Sequence, residues 1–100
     1  MVKNVVIDCG KLNQRRQAHT YLAKELDFPD YYGKNLDALF DCLTDIGECT
    51  VILKGAETLR LSDGYGVRIL KVMEEAVRVN PGFNLKFEDD EISESDEEDI

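Results

Sequence analysis

Three short strand-like runs, separated by stretches of helical periodicity, constrain this chain most. Val5, Val6 and Ile7 are a β-branched run of the kind that suits a strand buried on both faces. Residues 50–54 read as a second strand, and the alternation of Phe83, Leu85 and Phe87 with polar residues reads as a third, half-exposed one. Helical patterning fills the intervals. It runs over about 13–26, where Phe28-Pro29 ends it, over 36–45, and over 67–79 with Ile69, Leu70, Met73, Ala76 and Val77 on one face. Residues 55–59 suit a short helical turn, 61–66 a loop, and Asn80-Pro81-Gly82 a break. The order βααβ(α)αβ predicts an α/β fold: a small parallel sheet with right-handed helical crossovers, the helices packed mainly on one face. The periodicity alone leaves strand orders 1-2-3 and 2-1-3 open.

Charge divides the chain into two parts. Residues 88–100 hold nine acids and no base, whereas residues 1–87 balance twelve acids against twelve bases. The net charge of −9 therefore belongs to a tail whose low hydrophobicity and one-sign charge predict disorder, and the domain is expected to occupy 1–87. No apolar run is long enough for a membrane span, and charge enters too early for a signal peptide, so a cytoplasmic protein is expected. Cys9, Cys42 and Cys49 are odd in number and lack a CxxC pair, which argues against a disulfide framework or a zinc site, and no cofactor is expected. Cys42 reads as a small packing residue. His19, the one histidine, has no evident partner in sequence and is expected at the surface or its boundary.

Residues 29–46 carry the functional signal. Tyr31-Tyr32-Gly33-Lys34 reads as a turn, with Gly33 available for positive φ, Tyr32 inside and Tyr31 outside. Asn35 is a suitable N-cap, and Gly47 a suitable stop, for a helix in which Leu36, Leu39, Phe40 and Leu43 recur at i, i+3, i+4 and i+7. At about 100° per residue, Asp37, Asp41, Thr44 and Asp45 fall in one stripe beside that apolar face. No Lys or Arg lies between 35 and 46 to neutralise it. Like charges at i, i+4 cost a helix a few tenths of a kcal/mol, and the macrodipole disfavours Asp41 and Asp45 near the C-terminal end. Stability would not choose this arrangement, whereas a cationic partner would.

The stretch from Leu26 to Thr44, with its core Pro-x-Tyr-Tyr-Gly-x-Asn-Leu-Asp-Ala-Leu-x-Asp-x-Leu, closely resembles the barstar family of intracellular inhibitors of barnase-type, guanyl-preferring microbial ribonucleases. The element order matches more weakly over about 2–87. The resemblance implies a two-layer fold with a three-stranded parallel sheet in order 1-2-3. It also implies a non-enzymatic protein that binds a basic ribonuclease one-to-one, without contacting nucleic acid or membrane, by plugging its active site with the second helix. Carried over by position, the implied contacts are Tyr31, Gly33, Asn35, Asp37, Asp41 and Thr44, with Glu75 from the last helix. Asp41 is central. Phe40 stands where the family has a contact tryptophan, Asp45 and Ile46 where it has glycine and tryptophan, and Val79 where it has a second glutamate. No proline precedes the second strand at Glu48-Cys49-Thr50.

Two other readings compete. Asp37 and Asp41 could pair as acid and base, as in glycoside hydrolysis, but no Gly-rich loop or cleft signature accompanies them. An antitoxin-like or acidic decoy module covering a different basic protein is the alternative within the binding class. Shape discriminates: a pocket at Asp41 favours catalysis, and a protruding ridge favours inhibition.

Overall fold

The computed structural model describes residues 3–60 and 64–88; residues 61–63 of the expected loop and 89–100 of the expected tail lie outside them. Strand β1 (Lys3–Asp8) leads through a 3-10 turn (Cys9–Lys11) to α1 (Arg15–Glu25) and α2 (Leu36–Asp45). Then follow β2 (Cys49–Lys54), α3 (Ala56–Arg60), α4 (Tyr65–Val79) and β3 (Phe83–Glu88). The sheet is parallel in order β1-β2-β3, with Val5 opposite Val51 and Val51 opposite Leu85. The α/β reading and the 1-2-3 order both hold.

The sheet buries one row of side chains. Val5, Ile7, Cys49, Val51, Leu53 and Phe83 lie in the core, while the alternate residues Asn4, Val6, Asn84 and Lys86 are exposed. The expectation that residues 5–7 are buried on both faces is therefore wrong, since Val6 is 49% exposed. A β-branched run reports strand propensity, but the number of covered faces depends on where the helices pack. Here Leu12, Ala18, Leu22, Leu39, Leu43, Ile69, Met73 and Ala76 supply the other half of the core.

Several boundaries differ for local reasons. Helix α1 stops before Pro29 through a left-handed Asp27 (φ 59°), which lets the Phe28 N–H reach the Ala23 carbonyl at 2.9 Å. The positive φ expected of Gly33 belongs to Lys34 (φ 55°). Gly47 is not a left-handed stop, because α2 ends on extended Ile46 (φ −71°, ψ 149°). Its terminal carbonyls are met instead by the Asn80 amide, which donates to Leu43 O at 3.0 Å and Ile46 O at 3.1 Å. Helix α4 begins at Tyr65, two residues earlier than expected, and Glu88 closes β3 rather than opening the tail.

His19 is the largest correction, because it is fully buried. Its Nδ1 lies 2.6 Å from the Tyr32 hydroxyl and its Nε2 2.7 Å from the Tyr65 hydroxyl. In the neutral ring the N–H donates to one tyrosine oxygen and the bare nitrogen accepts from the other hydroxyl. Both polar ends are thus satisfied, which removes the usual cost of burying them. The partners sit 13 and 46 residues away in sequence, beyond any local pattern. Burial, with the nearby charges of Arg15 and Lys34, lowers the pKa of His19 below 6.5.

This burial makes stability pH-dependent. The unfolded chain binds a proton at His19 near pH 6.5 while the folded chain resists it, so the contribution of neutral His19 is complete above 6.5 and declines as pH falls below it. Urea unfolding at pH 7.5 and 5.5 is expected to differ by up to about 1.4 kcal/mol from this group, a difference removed in His19→Gln. Independently, Gly66 sits where a Cβ would press on fully buried Leu59 and lie 3.3 Å from the Leu12 carbonyl oxygen. Gly66→Ala is expected to cost about 1–3 kcal/mol, read as a lower urea midpoint with an unchanged slope.

Candidate functional site

The 27–35 segment is held from inside. Tyr32 is 7% exposed; besides its bond to His19 its ring lies 4.8 Å from that of Phe28, and its N–H donates to the Pro29 carbonyl at 3.0 Å. Burial pushes the Tyr32 hydroxyl pKa upward, so it stays protonated. With Tyr32 fixed, its neighbour Tyr31 points out at 87% exposure, as expected. Gly33 is exposed, and a Cβ there would lie 3.3 Å from the Asn35 amide nitrogen. Asn35 caps α2: its Oδ1 accepts from the Ala38 N–H at 2.7 Å, and its Nδ2 donates to Gly33 O at 3.3 Å.

Helix α2 is anchored by Leu39 and Leu43, both fully buried, with Leu36 and Phe40 half-buried beside them. Two buried leucines contribute roughly 3–6 kcal/mol, which exceeds the few tenths lost to each acid–acid repulsion. The helix can therefore carry an unfavourable outer face. Asp37, Asp41 and Asp45 are exposed on it. Among the described residues no Lys or Arg nitrogen is found within 4.0 Å of their carboxylates, in contrast to ion pairs such as Lys54–Glu88 and Arg78–Glu75. Thr44 is half-buried, and its hydroxyl donates back to the Asp41 carbonyl at 3.0 Å, leaving its oxygen as an acceptor.

Open depressions border α2, and the helix stands between two of them. On one side Leu36, Asp37 and Phe40 face Lys71, Val72 and Glu75 of α4. On the other, Asp41, Cys42 and Asp45 face Asp27, Phe28, Pro29 and Tyr31. The structure thus brings Asp37, Phe40 and Glu75 together, and Tyr31, Asp41 and Asp45 together, while Gly33 and Thr44 line neither depression. Glu75 is not a free charge, because Arg78 lies 3.7 Å away on the same helix. Burial and the charges of Asp41 and Asp45 raise the pKa of half-buried Cys42, in keeping with a packing residue rather than a reactive thiol. Cys9 is likewise pushed up, to about 11, by burial and Asp8.

Sequence reasoning missed the residues that hold this face in place. His19, Tyr65 and Asn80 fasten the loop to α1 and α4, and the end of α2 to the end of α4, through bonds spanning 13 to 46 residues. No local pattern encodes such pairs. Among the described residues no group of three or more His, Cys, Asp or Glu is arranged to hold a metal ion, and no helix is long and apolar enough to cross a membrane.

Comparison with known proteins accords with this architecture. A Bacillus subtilis (strain 168) protein, YrdF, whose name provisionally assigns it to ribonuclease inhibitors, is 40% identical over 78 residues, covering 75% of this chain and 86% of the relative. The sequence profile described as Barstar (barnase inhibitor), a family of protein inhibitors rather than enzymes, matches residues 2–90. That match takes in the three strands and four helices of the described residues, and the chain belongs to the barstar family.

Proposed function

We propose that this protein inhibits a barnase-type, guanyl-preferring microbial ribonuclease by seating α2 and the loop before it, one-to-one, in the enzyme's cationic active site. The observation that carries the reading is the row Asp37, Asp41 and Asp45, exposed on a well-anchored helix with no Lys or Arg ion pair among the described residues. A ribonuclease must gather cations where it binds phosphate and stabilises developing charge. Carboxylates already fixed in space meet such cations with little loss of side-chain and loop freedom. Opposed fields also accelerate encounter and make it sensitive to salt.

In this reading Asp41 is the central contact, flanked by Asp37 and Asp45. Tyr31 and Phe40 supply aromatic surface, Gly33 lets the backbone approach closely, and Asn35, Thr44 and Glu75 form the polar rim. Membership of the family and the name of the B. subtilis relative support the assignment to ribonuclease inhibition. The open surface on either side of α2 favours a protruding contact over a catalytic cleft.

Titration of barnase-type ribonucleases with the purified chain tests the proposal, with loss of activity at one equivalent and without added metal as the expected result. No inhibition across such a panel would favour the decoy reading, in which a different basic protein is covered. For Asp41→Ala, calorimetry is expected to show a dissociation constant about 30-fold or more above wild type, because truncation leaves enzyme cations buried without a partner. That scale is the family's own, since barnase–barstar pairs are among those that define it. The melting temperature is expected to stay or rise, because one member of a repulsive i, i+4 series is gone. Unchanged binding would sink the assignment of Asp41.

A further inference from the structure

The proposed contact face has two poles. Around Asp41 and Asp45 the charged neighbour in the same depression is another acid, Asp27. Along α2, about 6 Å from Asp41 and about 12 Å from Asp45, the Asp37 end borders a third depression, lined by Arg15 of α1, Arg68 of α4, Asn35, Leu36, Asp37 and Tyr65. Two guanidiniums thus outnumber the one carboxylate there. Both arginines are exposed, and neither forms an ion pair within 4.0 Å among the described residues.

Stability does not account for these cations. Arg15 is the first residue of α1 and Arg68 stands in the first turn of α4, and neither first turn holds an acid. Helix N-termini disfavour positive side chains. The field of Arg15 also opposes protonation of His19, so the charge is felt inside the fold. Nor would they help a face whose sole task is to present negative charge. They share a depression with Asp37, and like any neighbouring cations they weaken its attraction for a cation of the partner. They become favourable only if the partner offers them an anion.

We infer that Arg15 and Arg68 form a cationic pole that selects a ribonuclease bearing a carboxylate beside its cationic active site, opposite the Asp37 end of α2. This rests on the ribonuclease-inhibitor reading and narrows it. The partner's surface must carry the reverse dipole, cations against Asp41 and Asp45 and an acid against Arg15 and Arg68. A guanidinium pair suits a carboxylate because its planar donors can bind both oxygens. An enzyme with cations alone at that position would be rejected there by like charge.

The test is a charge reversal, Arg15→Glu with Arg68→Glu, against the barnase-type ribonuclease that the wild-type chain inhibits most strongly. Added acidity alone would tighten binding to a cationic enzyme, whereas this inference predicts a dissociation constant at least tenfold higher at low salt. Melting temperature is expected to stay or rise, since two cations leave helix N-termini. Changing the enzyme's surface carboxylates to Lys one at a time should restore affinity for the reversed variant at one position. Unchanged or tighter binding of the reversed variant would overturn the inference while leaving inhibition intact. So would binding of a short RNA by the wild-type chain that the reversed variant loses, which would assign the arginines to phosphate. If the wild-type chain inhibits no ribonuclease, the functional reading itself fails, and the inference with it.

Discussion

The hydrogen-bonded row Tyr32–His19–Tyr65 is the junction on which the functional half of the molecule depends. Each hydroxyl meets one imidazole nitrogen, at 2.6 and 2.7 Å, within an otherwise apolar interior. Such a network is favourable only when complete, because each unmet polar atom in that setting costs about 1–3 kcal/mol. Completeness requires the 27–35 loop, α1 and α4 to adopt one mutual position. That position holds Tyr31 outward, places the Asn35 cap ahead of α2, and sets Arg15 and Arg68 in the same depression as Asp37. The far end of α2 is fixed separately by the Asn80 amide. A helix held at both ends by side-chain hydrogen bonds, and through its middle by Leu39 and Leu43, presents its charges with little freedom left to lose.

Charge placement on this face runs against the preferences of the helices that carry it. Acids stand near the C-terminal end of α2, where its last turn holds no base, and cations stand in the first turns of α1 and α4. Each placement costs about 0.3–1 kcal/mol at a helix end. The apolar core, with some twenty buried side chains drawn from every helix and strand, offsets losses of that size. Surface charges that disagree with their own helices at three ends of one face point to a demand made from outside the chain. Under the proposed function that demand is the charge pattern of a ribonuclease active site and its border.

Much of the architecture was legible because it is written at short range. Strand runs, the apolar face of α2 at i, i+3, i+4 and i+7, the Asn35 cap and the in–out split of Tyr32 and Tyr31 follow from spacing and residue chemistry. The strand order entered through the family resemblance, since crossover handedness alone permits two orders. Where local reasoning failed, another part of the chain had the deciding vote. Val6 is exposed because the helices gather on the other side of the sheet. Lys34, rather than Gly33, takes the left-handed turn, and α2 ends through Asn80 rather than Gly47.

What the sequence determined by itself, then, is the set of elements, the apolar faces that must be hidden, and the row of carboxylates those faces leave on the outside of α2. The tertiary structure decided how α1, α4 and the loop converge upon that row. It turned an isolated His19 into the buried junction of three segments, and it set two arginines from distant helices beside Asp37. The physical reason is range. Periodicity and capping act within a turn or two of helix, whereas satisfying a buried imidazole or grouping like charges needs residues that meet only after the chain has folded.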